Sequence, residues 1–208
     1  QYIAGQKVIH RDLKPANMFI TNENILKLGD FGLARKIKDD RARYSKRVIT
    51  LWYRPPEILS HHGNKSYKTE VDIWSAGCIL YEMVTGEQLF KAKDNNDSLQ
   101  LEEICSICGP LPQSYMNQET AKLFESMKKD RIPPKSKLKE FLESKIGKYQ
   151  EFQSLVPLLL KMLKLVPEER ITAEDALNHS WIVKNININE DEIDNTFDTR
   201  KKDEYICD

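Results

Sequence analysis

His10-Arg11-Asp12-Leu13-Lys14-Pro15-Ala16-Asn17 crowds an acid, a cation and an amide into one short loop. Asp30-Phe31-Gly32 begins thirteen residues after Asn17. Between them, Met18-Phe19-Ile20-Thr21 and Ile25-Leu26-Lys27-Leu28 flank Asn22-Glu23-Asn24, the pattern of a short hairpin. A strand pair at that place sets the second carboxylate beside the first loop. Asn17 and Asp30 offer an amide oxygen and a carboxylate, hard donors that suit magnesium better than zinc. Neither holds such an ion alone, so further oxygens must complete its shell.

Together these motifs resemble the catalytic loop and the metal-binding loop of protein kinases. Thr50-Leu51-Trp52-Tyr53-Arg54-Pro55-Pro56-Glu57 resembles the segment that closes a kinase activation loop. Val71-Asp72-Ile73-Trp74-Ser75-Ala76-Gly77-Cys78 is similar to the buried central helix of the large lobe. Pro167-Glu168-Glu169-Arg170-Ile171-Thr172 resembles the turn before that lobe's last helix. The likeness covers residues 1–184 and falls in the branch that holds the cyclin-dependent and mitogen-activated kinases. It implies a mainly α fold, the C-terminal (large) lobe of the protein kinase fold, with short β-hairpins beside the catalytic loop. The catalytic loop is placed at 8–17, the activation segment at 30–57 and a branch-specific insert at about 110–150. No Gly-rich phosphate loop, strand lysine of the V-A-I-K kind or partner-glutamate helix is found, so the small lobe is expected to be absent from this chain. Alone, the chain is expected to bind ATP poorly and to catalyse little.

The resemblance assigns roles residue by residue. Asp12 orients the substrate hydroxyl, Lys14 neutralises charge on the transferring phosphoryl group, and Thr50 touches both. Lysine at 14 and threonine at 50 imply serine or threonine as acceptor. ATP and Mg2+ are the implied cofactors, with Lys14, Asn17, Phe19 and Asp30 on the nucleotide and Asn17 and Asp30 on the metal. Phe19 aligns with the floor of the adenine pocket, where smaller aliphatics are commoner; its alternative is an ordinary core phenylalanine. Phe31 is expected to pack inward. Arg11 and Arg35 are regulatory candidates that would converge on a phosphate added by an activating kinase and carried by Ser45, favoured by its offset from Thr50 over the alternative Tyr44. Val48 and Arg54 are implied to shape a pocket admitting proline after the acceptor. Glu57 and Arg170 are expected to form a buried ion pair, and Asp72 to accept backbone hydrogen bonds from the catalytic loop.

Arg47 and Leu51 stand where mitogen-activated kinases carry a tyrosine and a basic residue, so Val48 to Glu57 looks most like the cyclin-dependent kinases of the transcription-elongation type. The implied partners are a cyclin and a protein substrate with Ser-Pro or Thr-Pro sites. By subfamily analogy the substrate extends to a disordered tail such as that of RNA polymerase II. The implied localisation is nuclear, cytoplasmic or both. The alternative function is a non-catalytic large-lobe fragment acting as a binding or decoy module.

The chain's 208 residues suit one domain with a core of its own. Lys plus Arg and Asp plus Glu both total 32, so no general attraction to nucleic acid or to a membrane surface follows. Neither a bilayer-length apolar run nor a signal-peptide pattern occurs in the sequence. Of the four cysteines, Cys105 and Cys108 have a metal-like spacing without a second Cys or His pair, and read as buried and reduced on the apolar face of a helix ending near Gly109. A helix is predicted from about 70 to 85, with Thr69 and Asp72 as a capping box, Gly86 as stop and apolar residues all round. Further helices are predicted at 97–108, at Leu155–Leu165 and after a Thr172–Asp175 cap. From 185 to 208 the chain carries eight acidic residues against three basic and reads as a flexible acidic tail.

Overall fold

In the computed structural model, which describes residues 2–37, 49–60, 67–115, 118–126 and 131–185, a short helix α1 (Tyr2–Gly5) leads into strand β1 (Val8–Ile9). The loop that follows ends in a 3-10 turn over Pro15–Asn17, opened by the fixed φ of proline. Strands β2 (Met18–Ile20) and β3 (Leu26–Leu28) then pair as the predicted hairpin, Met18 opposite Leu28 and Ile20 opposite Leu26. Thr21 closes its turn, its Oγ1 accepting from the N–H groups of Glu23 and Ile25. Strand β4 (Arg35–Lys36) returns to pair antiparallel with β1, Ile9 opposite Arg35. This second pair is no hairpin. It clasps residues 10–34, so the loop bearing Asp12 and the loop bearing Asp30 grow from one two-stranded base.

The remaining elements are helical: α2 (Pro56–Leu59), α3 (Glu70–Thr85), α4 (Asp97–Cys108), α5 (Gln118–Ser126), α6 (Leu138–Ile146), α7 (Val156–Met162), α8 (Ala173–Leu177) and α9 (Ser180–Asn185). The core collects round α3. Its Trp74, Cys78 and Tyr81 pack with Leu101, Ile104 and Cys105 of α4, Leu142 and Ile146 of α6, and Leu158 and Leu159 of α7. Trp74 stacks on Phe90 with ring centroids 5.5 Å apart. Each fully buried Leu or Ile in this set contributes about 1.5–3 kcal/mol.

Three expectations about these helices need correction. Thr69 and Asp72 form no capping box: Thr69 has helical dihedrals (φ −63°, ψ −16°) and its side chain makes no cap hydrogen bond. The Asp72 carboxylate points instead to backbone N–H groups far away in sequence, as described below. Second, α3 is not buried on every side, because Met83 is 72% exposed and Ile73, Leu80 and Val84 are only half-buried. Third, the helix expected over Leu155–Leu165 runs only from Val156 to Met162, preceded by a 3-10 stretch over Gln150–Leu155. Leu163 leaves helical geometry (φ −101°, ψ 37°). Lys161 gives its carbonyl to the N–H of Ile171 at 3.1 Å rather than to a further helical turn.

Other signals hold. Gly86 stops α3 in the left-handed region (φ 73°), its N–H returning to the Glu82 carbonyl at 2.8 Å. Gly109 ends α4 at φ 84°, and a Cβ there would stand 3.0 Å from the Ser136 nitrogen. The Thr172 hydroxyl caps α8, accepting from the Asp175 N–H at 3.0 Å.

Cys78, Cys105 and Cys108 are free and buried. Burial pushes the Cys105 thiol up to about 12 and raises those of Cys78 and Cys108 well above the ordinary thiol range, which makes all three poor nucleophiles at neutral pH. No group of three His, Cys, Asp or Glu side chains able to hold a metal occurs among the described residues. Iodoacetamide in native buffer is therefore expected to spare these three cysteines until urea unfolds the chain. Labelling of Cys105 or Cys108 in the native protein, read by peptide mass mapping, would contradict this packing. Among the described residues no helix is long and apolar enough to cross a membrane.

Candidate active site

Arg11 carries the unusual backbone of this region. Its φ of 68° is left-handed, a conformation that costs a non-glycine residue free energy unless something holds it. The holder is Asp72 on α3. Its Oδ2 accepts from the His10 N–H at 2.7 Å and its Oδ1 from the Arg11 N–H at 3.0 Å. Burial pushes the Asp72 carboxyl up to about 6, against the pull of both amides and of the Arg11 charge. The loop thus enters its turn at an angle fixed by the central helix.

His10 ties the two loops together. Its Nδ1 accepts from the Asp12 N–H at 3.3 Å, and its Nε2 lies 3.0 Å from the Gly29 carbonyl, next to Asp30. The neutral tautomer with the proton on Nε2 satisfies both contacts. Burial lowers the imidazole pKa below its ordinary value, while the Gly29 carbonyl and the charges of Asp12 and Asp30 oppose that shift. Phe31 sets its ring edge against His10 with centroids 4.8 Å apart and is half-buried, so it packs inward only in part.

Asp12 is 5% exposed and densely hydrogen-bonded. Thr50 donates its hydroxyl to Oδ1 at 2.7 Å, and Lys14 Nζ donates to Oδ2 at 2.6 Å. Asn17 Nδ2 reaches the same Oδ2 at 3.1 Å and the Asp12 backbone carbonyl at 2.8 Å. Lys14 also donates to the Thr50 hydroxyl at 3.4 Å. Burial would raise the Asp12 carboxyl, but the hydrogen bonds from Lys14, Thr50 and Asn17 outweigh it and hold the group below its ordinary value. A carboxylate has about four acceptor positions. Three are taken by described residues, which leaves one for a hydroxyl donor.

Asn17 spends its amide nitrogen on Asp12, so its carbonyl oxygen has no protein donor among the described residues. Asp30 is exposed, with left-handed dihedrals (φ 57°, ψ 69°), and among the described residues its carboxylate accepts from the Gly32 N–H at 3.4 Å. An uncommitted amide oxygen and an exposed carboxylate fit a magnesium ion whose other ligands are phosphate oxygens. Phe19 is 56% exposed, which removes its reading as a core residue. It lies on a hairpin whose Ile20 and Leu26 are also exposed, and its ring sits where a Cβ on Gly29 would be, 2.6 Å away.

Arg11 and Arg35 are already engaged. Arg11 Nε donates to the Leu33 carbonyl at 2.6 Å and Nη1 to the Tyr67 hydroxyl at 3.2 Å, while Arg35 Nη1 donates to the Ala34 carbonyl at 2.8 Å. Tyr44, Ser45 and Val48 lie outside the described residues. Arg54 is buried and donates twice to the Ile49 carbonyl, at 3.0 and 2.7 Å, and once to Asp97 at 2.5 Å. Arg170 and Glu57 form a bidentate pair, both bonds 2.7 Å long. The sequence reading missed His10, Tyr67 and Asp97. His10 carried a findable signal, standing inside the deciding motif. Tyr67 and Asp97 carried none, since their partners are 56 and 43 residues away.

A family model described as protein kinase domain matches residues 1–182. The chain is 42% identical over 197 residues to cyclin-dependent kinase 12 of Drosophila melanogaster, across 92% of this chain and 16% of that protein. It is 39% identical over 185 residues to cyclin-dependent kinase 9 of Rattus norvegicus, across 86% of this chain and 47% of the relative. Among solved structures it is similar to the yeast RNA Pol II CTD kinase CTDK-1 complex, with TM-score 0.74 and 32% identity over 86% of this chain and 57% of that one. It is also similar to the CAK complex of Chaetomium thermophilum bound to ATP-gamma-S, with TM-score 0.69 and 35% identity over 84% of this chain and 52% of that one. The chain belongs to the protein kinases, and within them to the cyclin-dependent kinase family. It spans about half the length of the cyclin-dependent kinase 9 relatives it matches.

Proposed function

We propose that this chain is the large lobe of a Ser/Thr protein kinase that transfers the γ-phosphoryl group of ATP to serine or threonine followed by proline. The observation that carries this reading is the state of Asp12: its carboxyl is held below its ordinary pKa and pinned by Thr50, Lys14 and Asn17, with one acceptor position left over by the described residues. That position suits a substrate hydroxyl. In the transfer, the hydroxyl oxygen bonds to the γ-phosphorus, the bond to the bridging oxygen breaks, and ADP leaves. The hydroxyl proton passes to Asp12 and then to solvent. An acid held below its ordinary pKa is a weak base, so Asp12 serves mainly to orient the hydroxyl. Lys14, beside it, offsets charge on the phosphoryl oxygens. Asn17 and Asp30 would hold Mg2+, which when bound neutralises charge between the phosphates.

Proline selectivity is supported by Arg54. The Ile49 carbonyl, next to Thr50, is consumed by two bonds from that guanidinium, itself braced by Asp97. A substrate residue after the acceptor finds no free acceptor there for its N–H, and proline has none to leave unpaired. Val48 would complete the same pocket. A phosphate on Ser45, added by an activating kinase, would dock on Arg11 and Arg35 and act on the Leu33–Ala34 carbonyls that these side chains grip. The reading carries a cyclin partner and a nuclear or cytoplasmic setting, supported by family and by two similar structures solved as complexes. The exposed Phe19, Ile20 and Leu26 suit a covering small lobe and an adenine ring.

The test is a kinase assay of the full-length protein with Mg2+ and ATP on paired peptides, Ser-Pro against Ser-Ala. A kcat/KM preference of about tenfold or more is expected for Ser-Pro, the cost of one unpaired N–H in a closed site. Equal rates would contradict the role given to Arg54, and no transfer to either peptide would contradict the kinase reading.

A further inference from the structure

A cavity of about 210 Å³ opens beside the candidate active site, and the chemistry above makes no use of it. Thr50, Leu51 and Trp52 form one wall, and Ala92, Lys93, Asp94 and Asn95, from the segment between α3 and α4, form the other, the last three of them exposed. Leu51 and Ala92 are buried and Trp52 is half-buried, so the walls are largely carbon. Lys91 sets its Nζ 5.0 Å above the Trp52 ring, a cation–π contact on the indole that forms this wall. Thr50 is common to cavity and site: the residue that lines the cavity is the one whose hydroxyl donates to Asp12 at 2.7 Å.

That shared residue identifies the occupant. A polypeptide presenting a hydroxyl to Asp12 lies extended over Thr50 and advances about 3.3 Å per residue. Its neighbours one or two places away therefore pass over the cavity mouth. On one side of Thr50 stands Ile49, its carbonyl held by Arg54 and facing the residue after the acceptor. Leu51 and Trp52 stand on the other side. We infer that this cavity is a substrate-specificity pocket that takes a leucine- or methionine-like side chain one or two positions before the phosphorylated residue. The inference rests on the kinase reading, because it needs the acceptor at Asp12. Apolar contact of this kind separates substrates by about tenfold or more per well-seated group.

The experiment compares full-length wild-type protein with Asn95→Trp, a change at an exposed rim position that fills the cavity mouth. Peptides differ only in carrying leucine or glycine at the two positions before Ser-Pro. Wild type is expected to favour leucine about tenfold in kcat/KM at one of those positions, and Asn95→Trp to bring that ratio below about threefold. A ratio near one in wild type, or an unchanged ratio in Asn95→Trp, overturns the inference. Transfer to neither peptide counts against the kinase reading instead. The pocket is then decided on this chain by NMR, with peptides that carry alanine at the acceptor. The indole N–H of Trp52 is distinguishable from those of Trp74 and Trp181, which are buried. It is expected to shift on adding the leucine peptide and not the glycine peptide; an unmoved resonance overturns the proposal.

Discussion

Arg170→Ala is expected to destabilise the chain by about 3–5 kcal/mol, the cost of leaving one member of a buried ion pair without its partner. The Arg170 side chain is 0% exposed and that of Glu57 9%. Two bonds of 2.7 Å join them, Nε donates to the Lys164 carbonyl at 2.8 Å, and Nη1 also donates to the Glu70 carbonyl at 3.0 Å. The guanidinium stands 5.0 Å over the Trp74 ring. One side chain thus fastens α2, the start of α3 and the turn before α8. Urea unfolding followed by circular dichroism measures the loss, with the slope m unchanged if the folded state keeps its compactness. The double variant Glu57→Leu with Arg170→Met is expected to be more stable than Arg170→Ala, since it strands no charge. A loss below about 1 kcal/mol for Arg170→Ala would show that the pair is solvated in solution.

Asp12→Asn in the full-length protein is expected to lower kcat by about 10²–10⁴-fold while nucleotide affinity stays within about threefold. The substitution keeps the shape. Thr50 donates to Oδ1, and Lys14 and Asn17 donate to Oδ2, so an amide must set its own donor against one of these groups. It also carries no negative charge to orient the hydroxyl. The nucleotide and its metal, assigned to Lys14, Asn17, Phe19 and Asp30, lose no direct contact. Steady-state kinetics with a Ser-Pro peptide, together with titration of a fluorescent ATP analogue, separates the two effects. Near-normal turnover would remove Asp12 from the chemistry, and a matching loss of nucleotide affinity would assign it to binding.

How much of this was legible in the sequence follows from the range of each interaction. The β2–β3 hairpin, the stops at Gly86 and Gly109 and the Thr172 cap are local, decided within a few residues, and each was readable from spacing. Asp72 shows the limit. Three residues after Thr69 it matched a helix cap, yet its carboxylate is claimed by amides 62 and 61 residues away that hold Arg11 in a strained conformation. A long-range demand overrode a local one, and no pattern inside α3 records it. The early end of α7 has the same origin, since the Lys161 carbonyl is taken by Ile171. Met83 breaks the all-round burial of α3 because only contact partners, not hydrophobicity, decide which face is covered. At the site, residue types announced Asp12, Asn17 and Asp30, whereas the linking role of His10 and the Asp97 brace behind Arg54 needed the fold.

In the proposed function Asn17 and Asp30 flank a single metal-bound triphosphate, with Asp12 beside it for the acceptor. Paramagnetic broadening by Mn2+ in place of Mg2+ tests this on the chain itself, because it registers even millimolar binding in fast exchange. With ATP present, the backbone amides around Asn17 and around Asp30 are expected to broaden together, and with Mn2+ alone much less, since two protein ligands do not complete the shell. Broadening confined to one of the two loops, or identical with and without ATP, would contradict the account.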